Sequence, residues 1–157
     1  MVYIFLDIDG VLNSTEWEKK CRIGKRIHED LDFSFCPAMV TRLWNTLREL
    51  PDIKVVLSSS WRFYLREVNT RLGKAGFGMI IDEILPGIED YKKYPDTSRG
   101  VLIKDYLQGN EEYIIIDDDL NFLESQYPHL VRPSSRVGLT EEDCNKIKRF
   151  YERFGKI

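Results

Sequence analysis

The sequence predicts a three-layer, Rossmann-like α/β domain with a mainly parallel sheet. Apolar runs of strand length recur along the chain, and helical periodicities separate them. Val2–Leu6, Ile53–Leu57 and Tyr113–Ile116 are the strong runs, of the kind that suits strands buried on both faces. Weaker strand candidates are residues 79–81 and Leu130–Val131. Between them, Val40, Leu43, Trp44, Leu47 and Leu50 repeat at helical spacing after Pro37, a residue suited to a first turn. Leu65, Val68 and Leu72 do the same and stop near Gly73 and Gly76. Residues 100–107 read as a shorter helix ahead of the third strong strand. Thr140 with Asp143 three residues on reads as a capping box, and Cys144, Ile147, Tyr151 and Phe154 then share one helical face. Strands alternating with helices argue for parallel pairing.

The 157 residues fit one domain, 1–157, and are too few for a two-domain enzyme. A chain of this length buries roughly 70% of its unfolded surface, enough for a core without staples. Hydrophobic residues make up 43% and charged residues 31%, a globular composition rather than a disordered one. No apolar run approaches the ~20 residues of a membrane-spanning helix, so no membrane partner is expected. The net charge is −3, from 23 basic and 26 acidic side chains. There is thus no global basic field, and any nucleic-acid contact has to come from a local patch. Cys21, Cys36 and Cys144 are odd in number and form no CxxC pair, which reads as reduced thiols in a cytoplasmic protein. The chain reaches Asp7 with no basic leader, so no secretory signal is expected there.

In open parallel sheets, ligands bind beyond the carboxyl ends of the strands. The residues that follow the three strong strands are Asp7-Ile8-Asp9-Gly10, Ser58-Ser59-Ser60 and Asp117-Asp118-Asp119. Two acidic clusters and a hydroxyl cluster therefore converge on one edge. Five carboxylates brought together repel one another, and several protonate unless a cation neutralises them. A hard divalent ion with oxygen ligands, Mg²⁺, is the natural partner. Asp7 and Asp9, one residue apart at a strand end, can both face one site, and Gly10 lets the backbone turn sharply. A calcium loop does not fit, because Val11 and Leu12 stand where it needs an oxygen ligand and a glycine.

FLDIDGVLN resembles the first motif of the haloacid-dehalogenase-like (HAD) superfamily of Mg²⁺-dependent aspartate-nucleophile phosphatases. VVLSSSWR resembles its second motif and IIIDDD its acidic fourth motif. With SSSWR and the GLT that leads into the last helix, the chain is similar over its whole length to the small HAD domains of the "Swiss-army-knife" RNA-repair group. The resemblance implies a Mg²⁺-dependent phosphomonoesterase. Asp7 is then the nucleophile and a metal ligand, while Asp9 is the proton donor and acceptor and ligates the metal through its carbonyl. Ser58 holds a phosphate oxygen, with Ser59 assisting. The basic residue of the third motif is Arg99, or else Lys104. Asp118 is the expected metal ligand with Asp117 in support, and Asp119 is a candidate cap for a following helix. Arg62 is a further candidate for phosphate binding, with its stem packed at the core edge as the alternative. The chain departs from the commoner family forms at Val11, where Thr is frequent, and in the acidic triplet itself.

Residues 13–36 read as a flap or minimal cap, too short for a full cap domain. An open site of that kind suits a polynucleotide 3′- or 5′-phosphate end, and also admits a small-molecule or nucleotide phosphate. Lys19, Lys20, Arg22, Lys25 and Arg26 with Trp17 offer basic and aromatic contacts to a nucleic-acid strand, although Glu29, Asp30 and Asp32 follow at once. Tyr91-Lys92-Lys93-Tyr94 repeats the theme in a second loop. Trp61, Trp44 and Phe63 read as core or core edge, and His28 and His129 show no ligand spacing. The competing functional readings are a receiver-like phosphoacceptor module, disfavoured because DxD comes first and the triplet late, and a non-catalytic nucleic-acid-binding domain.

Overall fold

The computed structural model describes residues 1–24 and 34–155. Five strands, β1 (Val2–Leu6), β2 (Ile53–Leu57), β3 (Glu83–Ile84), β4 (Tyr113–Ile116) and β5 (Leu130–Val131), form one sheet in the order β3-β2-β1-β4-β5. Every pairing is parallel. The helices are α1 (Thr15–Gly24), α2 (Pro37–Leu47), α3 (Leu65–Lys74), α4 (Ser98–Leu107) and α5 (Glu141–Phe154). Alternation along the strands divides the core in two. Ile4, Leu6, Leu57, Ile114 and Ile116 pack with Val40 and Leu43 of α2, Val68 and Leu72 of α3, and Ile147 and Tyr151 of α5. Phe5, Val56 and Ile115 point the other way, onto Ile103 and Leu107 of α4 with Leu85 and Phe122. The result is the three-layer α/β domain that the sequence predicts. Each fully buried Leu, Ile or Phe contributes about 1.5–3 kcal/mol, so the apolar strands hold both helix layers.

The caps follow the sequence in part. Pro37 opens α2, and the Thr140/Asp143 box opens α5, with Asp143 N–H donating to Thr140 Oγ1 and Thr140 N–H to Asp143 Oδ2. The third strand from the amino end is displaced: it forms at Glu83–Ile84, not at residues 79–81. The Asn69 side chain explains the shift, because its amide accepts from Ile81 N–H at 2.9 Å and donates to Ile81 C=O at 2.8 Å. Those backbone groups are thereby withdrawn from any ladder. α4 starts two residues earlier than the periodicity suggests, at Ser98.

The segment expected as a flap begins as a helix. Ser14 Oγ accepts from Trp17 N–H at 3.0 Å, and Glu16 and Glu18 occupy the first turn of α1. The ends of the segment lie together: Cys36 N–H donates to Leu12 C=O at 2.7 Å, and Asn13 Nδ2 to Ser34 C=O at 2.9 Å. The Arg22 side chain and Lys25, Arg26, His28, Glu29, Asp30 and Asp32 lie outside the described residues. The three cysteines are free and buried. Among the described residues no helix is long and apolar enough to cross a membrane.

Gly100 sets the seat of α4. Its N–H donates to Asn121 C=O at 3.0 Å and its C=O accepts from Gln126 Nε2 at 2.8 Å. A Cβ there would stand 2.4 Å from Gln126 Oε1 and 2.8 Å from the Leu123 nitrogen. Alanine in a helix is ordinarily more favourable than glycine by about 1 kcal/mol. Here Gly100→Ala is expected to do the opposite and cost about 1–3 kcal/mol through overpacking. A thermal melt followed by circular dichroism tests this, with a drop of several degrees expected and an unchanged or higher midpoint contradicting it.

Candidate active site

Register brings the polar strand ends level. Leu6 pairs with Leu57 on one side and with Ile116 on the other. The ladder continues one residue further: Asp7 N–H donates to Ile116 C=O at 3.0 Å, Ser58 N–H to Leu6 C=O at 2.9 Å and Asp117 N–H to Val131 C=O at 3.1 Å. Leu6, Leu57 and Ile116 face α2, α3 and α5, so Asp7, Ser58 and Asp117, one residue on, fall on the α4 side. Arg99, in the first turn of α4, meets them there. Its Nη1 donates to Asp117 Oδ2 at 2.8 Å and to Asp7 Oδ1 at 3.3 Å, and its Nε to Glu89 Oε1 at 3.3 Å.

Oxygens of Asp7, Asp117 and Asp118 lie within 4.8 Å of one another. Asp7 is only 6% exposed and Asp117 fully buried. Burial, and then the Asp117 charge, push the Asp7 carboxyl well above the usual carboxylate range although Arg99 pulls it down. Burial also raises Asp118, and the charges of Asp117 and Asp119 push the same way. A divalent cation relieves the same repulsion, and the all-oxygen donor set suits a hard ion such as Mg²⁺ rather than a soft one. Both Asp117 oxygens are taken, Oδ2 by Arg99 and Oδ1 by Asp119 N–H at 2.9 Å. Asp118 is the less committed of the pair. Gly10, at φ +83°, is obligatory here, since a Cβ on it would stand 2.3 Å from Asp118 Oδ2.

Asp9 stands apart from these three carboxylates. Its Oδ1 accepts from Asn13 Nδ2 at 2.9 Å and its Oδ2 from Trp61 Nε1 at 3.2 Å. Asp9, Asn13, Trp61, Asp118 and Ser135 line a cleft of about 540 Å³. Asn13 is itself fixed, its Oδ1 accepting from Gly10 N–H at 2.8 Å. Ser58 is fully buried, and its Oγ has no hydrogen-bond partner. Such an orphaned hydroxyl beside a carboxylate cluster is what a missing oxygen ligand leaves behind. Ser59 Oγ accepts from Trp61 N–H at 3.1 Å and so caps the turn Ser60–Tyr64.

Three sequence expectations part from this geometry. Arg62 is 1% exposed, with its guanidinium spent on the carbonyls of Leu85, Ser58, Ser59 and Gly87 and on both Glu89 oxygens. No donor is left for a substrate phosphate. Lys104, five residues and so roughly 7–8 Å of helix beyond Arg99, is exposed in a hollow shared with Tyr113 at the amino end of β4, the end away from the carboxylates. Asp119 caps no helix, because none starts there; its Oδ1 accepts from Leu120 N–H at 2.7 Å.

Glu89 and the Trp61 indole are the residues that sequence reasoning missed as parts of the site. Glu89 lies in the loop after β3, five residues beyond Ile84, where the strand-end rule does not reach. Burial, the largest single influence, would raise Glu89, but the Arg62 and backbone hydrogen bonds together with the Arg62 and Arg99 charges hold the carboxylate below its usual range. For Arg99, burial opposes the charge, yet Asp117 and Asp7 raise its pKa.

An all-parallel sheet of this order, with acidic ends on its first and fourth strands and an arginine bridging them, defines an α/β domain of the HAD type. The chain belongs to the family described as the HAD domain in Swiss Army Knife RNA repair proteins, whose family model matches residues 3–144. No curated protein and no solved structure matches it.

Truncating one partner of a buried ion pair leaves the other charge uncompensated. Arg62→Met is therefore expected to cost about 3–5 kcal/mol, because Glu89 keeps Arg99 alone and the carbonyls of Leu85, Ser58 and Gly87 lose the guanidinium. Urea unfolding reads this directly, and a midpoint like that of wild type would show that the network carries no stability.

Proposed function

We propose that this chain is a phosphomonoesterase that works through an aspartyl-phosphate. The observation that carries the reading is the buried Asp7 carboxylate, grouped with Asp117 and Asp118 and bridged by Arg99, beside the unpartnered Ser58 Oγ. In the first step an Asp7 oxygen attacks phosphorus, and the bond from phosphorus to the alcohol oxygen breaks as Asp9 gives that oxygen a proton. In the second step a water attacks the phosphoryl group and Asp9 takes its proton. Inorganic phosphate leaves and Asp7 is restored as a carboxylate. Splitting one hard displacement in two is what the nucleophile supplies, and one carboxyl serving as acid and then base closes the proton balance.

Asn13 and Trp61 hold the two Asp9 oxygens and so orient the proton toward the cleft. Ser58 Oγ is the donor for a phosphoryl oxygen. Arg99 aligns Asp7 and offsets part of its charge. Mg²⁺ would be held by Asp7 and Asp118 with the Asp9 carbonyl, Asp117 supporting, and when bound it neutralises charge on the transferring phosphoryl group. A phosphorylated nucleic-acid end, 3′ or 5′, is the substrate class that the RNA-repair family favours. Lys19 and Lys20 on α1, both exposed, directly follow Glu18, which lines the cleft with Thr15.

Asp7→Asn is expected to lower Mg²⁺-dependent hydrolysis of p-nitrophenyl phosphate at least about a thousandfold while leaving the circular dichroism spectrum unchanged. Equal turnover by wild type and variant would rule out the covalent mechanism.

A further inference from the structure

Trp61 faces two cavities. One is the cleft that holds Asp9 and Asp118, and the other is a hollow of about 330 Å³ bounded by Ser60, Trp61, Tyr64, Glu67 and Arg71. The hollow has the size of a small-molecule subsite. Its framework is fixed. Trp61 Nε1 is bonded to Asp9, and the indole lies against Phe35, with ring centres 5.7 Å apart. The Arg71 guanidinium stacks on the indole at 5.3 Å, held in turn by Glu67 at 2.6 Å and by Ser34 Oγ at 2.7 Å. Tyr64 is different: the residue is 63% exposed, a large aromatic side chain left in water at the edge of a polar site.

We infer that this hollow is a leaving-group subsite, which takes a planar ring carried by the alcohol half of the phosphate ester. The inference rests on the mechanism proposed above. Asp9 protonates the leaving oxygen, and Trp61, one of the two side chains that hold Asp9, is the wall that the cleft and the hollow share. Across that shared indole lies the hollow, with Tyr64 among its lining residues. Aromatic and guanidinium faces suit a flat π-system such as a nucleobase, because every base presents a stacking face whatever its hydrogen-bonding edge. The subsite therefore selects for the presence of a base, not for its identity. A free mononucleotide and the terminal nucleotide of a polynucleotide carry the same chemistry.

The test compares adenosine 5′-monophosphate with ribose 5-phosphate, which differ only in the base, and adds a 5′-phosphorylated oligoadenylate. The kcat/KM ratio of the first over the second is expected to be roughly tenfold or more, as base stacking gives elsewhere. That ratio should collapse toward one in Tyr64→Ala and be retained in Tyr64→Phe, which keeps the ring. A further gain for the oligonucleotide identifies the polymer end as the source, whereas parity with the mononucleotide identifies the free nucleotide. Equal use of the two monophosphates by wild type, or a ratio unmoved in Tyr64→Ala, overturns the subsite and leaves the phosphatase reading standing. If no ester is turned over, the phosphatase reading falls, and calorimetric titration of the same two monophosphates then decides the subsite. Base-dependent binding that is lost in Tyr64→Ala upholds it, and base-independent binding or none overturns it.

Discussion

A single line of charges runs from the interior to the reacting edge: Arg62, Glu89, Arg99, and then Asp7 with Asp117. Its anchor is Arg62, fully buried and gripped by four backbone carbonyls. Those carbonyls belong to the turns that follow β2 and β3, so the guanidinium ties two strand ends together and leaves Glu89 one orientation. Glu89 in turn fixes Arg99, and Arg99 bridges two carboxylates that would otherwise repel. Ion pairs of this kind contribute little net stability once desolvation is counted. What they supply is position, and an unpaired member is costly.

The sheet makes such a line possible. Three strands stop in register, and the residue after each still takes its ladder hydrogen bond, so the polar side chains inherit the precision of the β-ladder. Alternation sends them all to the α4 side. The close seat of α4 at Gly100 then brings the Arg99 side chain within reach of both aspartates. On the opposite flank, Gly10 turns the chain away from Asp118, and Asn13 ties that turn to Asp9 and to Ser34.

Much of this was legible in the chain because burial and chemistry left separate marks. Apolar runs gave the three central strands, and the acidic and hydroxyl residues directly after them gave Asp7, Ser58, Asp117 and Asp118. The two-residue β3 carries too little apolar pattern to be seen, and the bulkier run at 79–81 drew the assignment to itself. Only the Asn69 amide, remote in sequence, forbids that run a ladder. Glu89, in a loop five residues past β3, carries no mark in the sequence, and Arg62 reads there as a free cation beside a phosphate-binding turn. Its burial depends on carbonyls of turns that sequence periodicity does not describe. Arg99 stands ahead of Lys104 as the basic residue already in the sequence, and the direction of α4 supplies the physical reason. Trp61 looked like a core-edge aromatic, because an indole N–H gives no sign in sequence of what it will bond.

The whole account depends on the strand-end carboxylates sharing one cation. Calorimetric titration of Mg²⁺ into wild type, Asp118→Asn and Asp119→Asn tests that most directly. The account expects one saturable site in wild type, weakened about tenfold or more when the Asp118 charge is removed. It expects little change in Asp119→Asn, whose side chain is exposed and outside the cluster. No saturable binding in wild type, or equal affinity in wild type and Asp118→Asn, would contradict it.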